Sequence, residues 1–189
     1  AGTQTARLRP APSYIYFAEK PGMRALVTGA TGFVGMWVAR LLLEEGTHVR
    51  ALVRPASDRR NLAGVNVEFA EGDLRDPESL TEALAGCDEL YHVAALYSTR
   101  GEDAPLMYEV NVGGTKAILR AAQRAGVRRI VHTSTIGTIG RPADGSLPTE
   151  ETEFNLWDTS SHYARSKFLA ETVALSMAQE GLPVVVVNP

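Results

Sequence analysis

Cysteine is nearly missing from this chain: Cys87 stands alone among 189 residues. One cysteine closes no internal disulfide and has no companion with which to hold a metal. It therefore reads as a small buried hydrophobe, and a reducing cytoplasm fits. Long apolar runs are missing too, since none approaches the roughly 20 residues that a membrane-spanning helix needs. Charge of one sign is not in excess. The net charge of -3 gives no electrostatic case for a nucleic-acid or membrane-surface partner. Internal repeats and low-complexity tracts are absent as well. What is present is an ordinary globular composition, 44% hydrophobic and 22% charged, long enough for one domain with a substantial core.

Residues 1–22 differ in character from the remainder of the chain: they carry three prolines, show no sustained period and lack the continuous apolar core of a signal peptide. They read as an appended or upstream extension, or as a mobile arm. Met23 stands immediately before the first strand, and residues 23–189 form the expected domain.

The rest of the chain is organised around Arg24 to Leu43. A short apolar run, Ala25-Leu26-Val27, has the character of a buried parallel strand. The turn Thr28-Gly29-Ala30-Thr31-Gly32-Phe33-Val34-Gly35 comes next, and then a helical apolar period (Val34, Val38, Leu41, Leu42) that Gly46 stops. Strand, glycine turn and helix together aim backbone N–H groups and the positive end of a helix at a pyrophosphate. Side chains at Gly29 and Gly32 would crowd the phosphates, and Gly35 lets the helix lie close to its strand. The Gly-x-x-Gly-x-x-Gly spacing is one residue longer at its first gap than the usual dinucleotide fingerprint.

Further strands are predicted at 48–53, 65–69, 89–93, 129–133 and 183–187, the last fully buried. Helices are predicted over 77–85, with Asp76 as N-cap, and over 104–125 and 160–180. Gly113 and Gly114 lie inside the second of these at roughly 1 kcal/mol each, which points to close approach by another backbone or a ligand. The loop 140–159 is long, rich in Gly, Pro and acids, and of a length that is often functional. Regular alternation of strand and helix predicts an α/β fold: a Rossmann-like doubly wound parallel sheet with helices on both faces. Ligands should gather at the carboxyl ends of the strands, where Gly29, Arg54, Asp73, Ala94 and Thr135 fall.

Arg54 ends the second strand, with Arg59 and Arg60 just beyond. In a dinucleotide fold this position meets the adenosine ribose, where an acid bonds the 2′-hydroxyl of NAD and arginine accommodates the 2′-phosphate of NADP. NADP(H) is therefore the preferred cofactor, with NAD(H) possible. The bland reading is a solvated basic turn. Ala94 and Ala95, small residues after the fourth strand, would let a flat ring approach the backbone. Tyr163 and Lys167, four apart on one helix, share a face. An ammonium near a phenol stabilises the phenolate and moves its pKa down from about 10, towards acid/base work. Thr135 could donate a hydrogen bond to a substrate oxygen beside Tyr163, while Ser134 would point elsewhere. His92 reads as a packed strand residue.

Thr28-Gly-Ala-Thr-Gly-Phe-Val-Gly35, Gly72-Asp-Leu74, His92-Val-Ala-Ala95, Asn111, Thr133-Ser-Thr135 and Tyr163-Ala-Arg-Ser-Lys167 together resemble the extended short-chain dehydrogenase/reductases. Within that superfamily of epimerases and dehydratases, the sequence is most similar to dihydroflavonol reductases and hopanoid-associated sugar epimerases. The resemblance runs from Met23 to Pro189. It implies that Tyr163 is the catalytic acid/base, that Lys167 tunes it and holds the nicotinamide ribose, and that Thr135 takes the usual serine or threonine place. Asn111 would support the site through a water. Asp73 and Leu74 would contact the adenine. Ala94 and Ala95 would line the cofactor cleft beside the turn residues Gly29, Thr31, Gly32, Phe33, Val34 and Gly35, with Pro189 at its far side. Family members continue past Asn188-Pro189 into a smaller substrate domain, which this sequence lacks. No metal is implied. The expected partner is a small-molecule carbonyl compound or a nucleotide sugar, and relatives pair the helices 104–125 and 160–180 into a homodimer. Three functions fit: a reductase releasing oxidised cofactor, an epimerase or dehydratase retaining it, and a non-enzymatic NADP-binding sensor that would have no need of the Tyr/Lys/Thr set.

Overall fold

The structure is a computed structural model and describes residues 22–189; the expectations for residues 1–21 lie outside the described residues. Six parallel strands form one sheet: β1 (Arg24–Thr28), β2 (His48–Val53), β3 (Glu68–Glu71), β4 (Glu89–His92), β5 (Arg129–Thr133) and β6 (Val184–Val187). Their order across the sheet is β3-β2-β1-β4-β5-β6. The chain reverses its direction of travel between β1 and β4, and that switch opens a crevice at the carboxyl edge.

Successive side chains of each strand point to opposite faces, and both faces of the sheet are covered, so the strands are apolar on both sides. Leu26, Leu52, Leu90 and Ile130 point to one side, where they pack with Leu80 and Leu84 of α2 (Pro77–Leu84), Ile118 and Leu119 of α4 (Gly114–Ala125) and Ala174 of α5 (His162–Gln179). Ala25, Val27, Ala51 and Val53 point to the other, against Ala39 and Leu42 of α1 (Phe33–Glu44). Each fully buried leucine contributes about 1.5–3 kcal/mol relative to an exposed one. Asp76 caps α2 as its sequence position predicts, accepting from the N–H groups of Glu78 and Ser79. The doubly wound α/β fold expected from the sequence is the fold observed.

Three local expectations are corrected. The third strand begins at Glu68, opposite Arg50, and not at Val65. Gly64, at φ +74°, leads into tight turns in which Val65 N–H donates to Leu62 O and Val67 N–H to Val65 O, so that stretch has no ladder to join. β6 is half covered, with Val184 and Val186 packed on the core beside α5 and Val185 57% exposed on the opposite face. The helix predicted over 104–125 is continuous but not uniform. It runs from α3 (Ala104–Tyr108) through a π-helical turn (Glu109–Gly113) into α4. Gly114 packs against a side chain there, since a Cβ would lie 2.7 Å from Leu74 Cβ, while Gly113 faces open space. Neither is approached by a backbone.

Candidate active site

The crevice at the carboxyl edge holds a cavity of about 770 Å³, a size that small-molecule sites take. Its floor is the turn after β1. Gly29 adopts φ +69°, and a Cβ there would meet the Ala94 backbone at 2.8 Å. A Cβ at Gly35 would fall 2.2 Å from Gly29 O, so the first turn of α1 rests on the glycine turn itself. A Cβ at Gly29 would thus crowd the protein's own backbone, one at Gly32 would lie 3.3 Å from Gly29 O, and Gly35 allows the close packing of the helix that its position predicts. No side chain caps the start of α1. Its first N–H groups, which have no partner within the helix, therefore form the positive floor of the cavity beside Thr31, Gly32, Phe33 and Val34.

At one end Arg54 lines the cavity together with Ser57, Asp73 and Arg75. Asp73 accepts from Arg75 Nε at 3.0 Å and Nη2 at 2.9 Å. That bond, with Arg54 adding its charge, lowers the Asp73 pKa below the usual carboxylate value. Arg59 and Arg60 do not reach the cavity: Arg59 pairs with Glu71 and lies over the Phe69 ring, and Arg60 pairs with Asp58. The basic cluster read from the sequence therefore reduces to Arg54, and Arg75, which that reading missed, stands beside it. Leu74 lines the same end, with the Gly114 turn of α4 packed on it.

After β4 come Val93, Ala94 and Ala95, which form one wall. Their position is set by Thr28, whose Oγ1 accepts from Val93 N–H (3.2 Å) and Ala94 N–H (3.1 Å). With both lone pairs used, the Thr28 hydroxyl donates to His92 Nδ1 at 2.8 Å, so His92 carries its proton on Nε2 and donates to Thr115 Oγ1. Burial holds His92 neutral, its pKa well below the ordinary value. It is a packed strand residue, as read, and it also buttresses the cavity wall.

At the other end Thr135, Tyr163, Lys167 and Pro189 meet. Ser161 caps α5 by accepting from Ala164 N–H and so sets Tyr163 in the first turn, with Lys167 one turn later. Lys167 is 2% exposed and donates from Nζ to Thr133 O at 2.7 Å. Burial lowers its pKa to about 8, with Glu171 opposing. The phenol of Tyr163 moves opposite to expectation: burial, then the neighbouring Tyr97, raise its pKa. The Lys167 ammonium is turned to Thr133 O, and no lowering by it offsets the burial. Thr135 Oγ1 accepts from Gly137 N–H at 3.3 Å, which leaves its own proton unused in that bond. Ser134 points elsewhere, to Glu171.

Asn111 does not line the cavity. It is buried in the π-helical turn, where Oδ1 accepts from Leu96 N–H (2.7 Å) and Nδ2 donates to Leu96 O (2.9 Å) and Ser166 Oγ (2.9 Å). Both amide protons are thereby committed to protein atoms, and the side chain clamps the segment after β4 directly. Ser166 donates in turn to Tyr163 O, which joins the segment after β4 to the start of α5. Tyr97 comes just after that clamp and sets its ring edge to face against Tyr163, with centroids 4.9 Å apart. Sequence reading missed Tyr97, Ser57 and Arg75. Arg75 had a local signal, two residues after Asp73, whereas the Tyr97 contact spans 66 positions.

Among the described residues no group of three or more His, Cys, Asp or Glu could hold a metal, and no helix is long and apolar enough to cross a membrane. Residues 25–189 match the NAD dependent epimerase/dehydratase family. The chain belongs to that family. Similar proteins include sterol demethylase protein B of Methylococcus capsulatus, 43% identical over 88% of this chain and 51% of the relative. Cinnamoyl-CoA reductase 1 of Petunia hybrida is 37% identical over 89% of this chain and 54% of its own length. Among solved structures, DesIV, a dTDP-glucose 4,6-dehydratase from Streptomyces venezuelae with NAD and TYD bound, superposes with a TM-score of 0.76 at 35% identity. That match covers 88% of this chain and 55% of DesIV. The chain spans about half the length of the curated relatives it matches.

Proposed function

We propose that this chain carries the cofactor-binding and proton-transfer half of an NADP(H)-dependent reductase acting on a carbonyl carbon. The observation that carries the reading is one continuous cavity with Arg54 at one end and Tyr163, Lys167 and Thr135 at the other. A dinucleotide fits these residues. The uncapped start of α1 offers N–H groups to a pyrophosphate, Arg54 offers a cation to a 2′-phosphate, and Ala94 and Ala95 leave room for a flat ring. Asp73 and Leu74 would take the adenine, and Lys167 the nicotinamide ribose. When bound, the nicotinamide supplies or accepts hydride at the substrate carbon.

The protein's own part is the proton. Burial keeps the Tyr163 phenol protonated at neutral pH, which is the form an acid needs to protonate a carbonyl oxygen as it becomes an alcohol. Thr135 contributes its free hydroxyl proton to the same oxygen. Lys167, with a pKa of about 8, carries a charge at neutral pH close to the developing anion.

Members of the same family include dehydratases such as DesIV, so retention of the cofactor through a closed cycle is the competing outcome. Full-length protein offered NADPH with ketones, aldehydes and nucleotide sugars decides between them. Net oxidation of NADPH, read at 340 nm, with a carbonyl compound is expected. Conversion of a nucleotide sugar without net oxidation would replace the reductase reading with the epimerase or dehydratase one. Absence of both, with cofactor still bound, would favour a sensor.

A further inference from the structure

Below Thr135 lies a polar cluster that the proposed chemistry does not use. Glu171 sits on α5 one turn beyond Lys167. Its Oε2 accepts from three separate segments: Ser134 Oγ after β5 (2.5 Å), Thr138 Oγ1 in the 3₁₀ turn Ile136–Thr138 (2.7 Å) and Asn188 Nδ2 after β6 (3.0 Å). The same groups lie close to one another. Thr138 Oγ1, whose single proton serves Glu171, also lies 2.8 Å from Thr135 O, and Asn188 Nδ2 lies 3.2 Å from that carbonyl and 3.0 Å from Thr138 Oγ1. Two backbone bonds lie beside this hub, Ser134 N–H to Val187 O and Ile136 N–H to Pro189 O. Thr135 leaves the strand in extended conformation, φ -164° and ψ 153°, directly above it.

From this arrangement we infer that Glu171 is a positioning residue for Thr135, its carboxylate gathering Ser134, Thr138 and Asn188 so that the Thr135 hydroxyl is held towards Tyr163. The inference rests on the reductase reading for the role of Thr135. A carboxylate suits the task because it only accepts, and one oxygen can receive several donors at once. Without it the three donors lose their common partner and the turn after β5 is free to shift. A misplacement of about 1 Å at a reacting group can cost on the order of 100-fold in rate.

The experiment compares Glu171→Leu, Glu171→Gln and Thr138→Val in full-length protein. Glutamine keeps an acceptor oxygen and should hold kcat within about 3-fold, whereas leucine should lower kcat by roughly 30- to 100-fold. Both variants also remove the Glu171 charge that supports the Lys167 ammonium, so any change in the Kd for NADPH should be the same in the two, and only kcat should separate leucine from glutamine. Thr138→Val removes one donor, and a loss of about 10-fold is expected even where the leucine variant does not fold. A leucine variant with unchanged kcat would overturn the inference, and so would kcat and NADPH affinity falling in parallel. If the unmutated protein turns nothing over, threonine methyl spectra carry the test, with the Thr135 signal assigned from Thr135→Val. That signal should move in Glu171→Leu and Thr138→Val and stay in place in Glu171→Gln. An unmoved signal in all three contradicts the positioning role whatever the reaction is.

Discussion

Tyr163 is half-buried beside Tyr97, and removing its hydroxyl alone keeps that ring contact. Tyr163→Phe keeps the ring and the glycine turn, so NADPH affinity should hardly change while turnover falls by roughly 10²–10⁴. Near-normal turnover would mean that the motif is present without being catalytic. A second residue-scale effect concerns His132, fully buried on β5 beside His92, with its pKa lowered to about 3 by burial and by Lys167. Below the ordinary value of 6.5 the unfolded chain takes up a proton that the folded one refuses. Stability therefore falls as pH drops from about 6.5 towards 3, by up to ~1.4 kcal/mol per pH unit, and His132 contributes nothing above that window. Urea unfolding from pH 7 to 4.5 should show a shallower acid slope in His132→Leu than in the unmutated chain. Equal slopes would contradict it. Residue identities at the site were legible because Tyr163 and Lys167 share a helix face and the glycines share a turn. Their electrostatics were not, because the burial that raises the Tyr163 pKa comes from packing across the chain.

Among the elements, the strands β1, β2, β4 and β5 could be read from their apolar runs, since buried parallel strands leave little else in the sequence. β3 could not, because where it begins depends on which neighbour supplies a ladder, and β6 could be read as a strand but not as a half-covered one, because that depends on what packs on each face. The passage from α3 through the π-helical turn into α4 left only its two glycines as a sign. Those glycines give opposite predictions. Gly113→Ala, in open space inside a helix, should stabilise by about 0.5–1 kcal/mol. Gly114→Ala, whose Cβ would lie 2.7 Å from Leu74 Cβ, should destabilise by about 1–3 kcal/mol. Thermal melts of the two variants check the pair. Shifts of the same sign would show that the close approach at Leu74 is not what requires glycine.

For the whole molecule, the order β3-β2-β1-β4-β5-β6 brings residues 29, 54, 73, 94, 135 and 163 to one edge, and the sequence told as much by alternating strand with helix. Assembly is harder to read. Ile118 and Leu119, part of the apolar face expected to pair α4 with a second copy, are fully buried against the sheet. Leu106 of α3 lines the cavity, and Leu175 on α5 remains exposed on the outside. We propose a homodimer through these helices. Light scattering of the full-length protein at micromolar concentration should return twice the chain mass, and Leu175→Glu should halve it. A monomeric unmutated protein would contradict the proposal.

We propose that the cavity between the glycine turn and Tyr163 takes a nicotinamide dinucleotide and that Arg54 selects its phosphate. Titration of the protein with NADPH and with NADH, followed by nicotinamide fluorescence, tests both parts at once. NADPH should bind at least about 10-fold more tightly, the order of one charge-assisted phosphate contact, and Arg54→Ala should erase the difference by weakening NADPH alone. Equal affinities in the unmutated protein, or a preference that survives Arg54→Ala, would contradict the account.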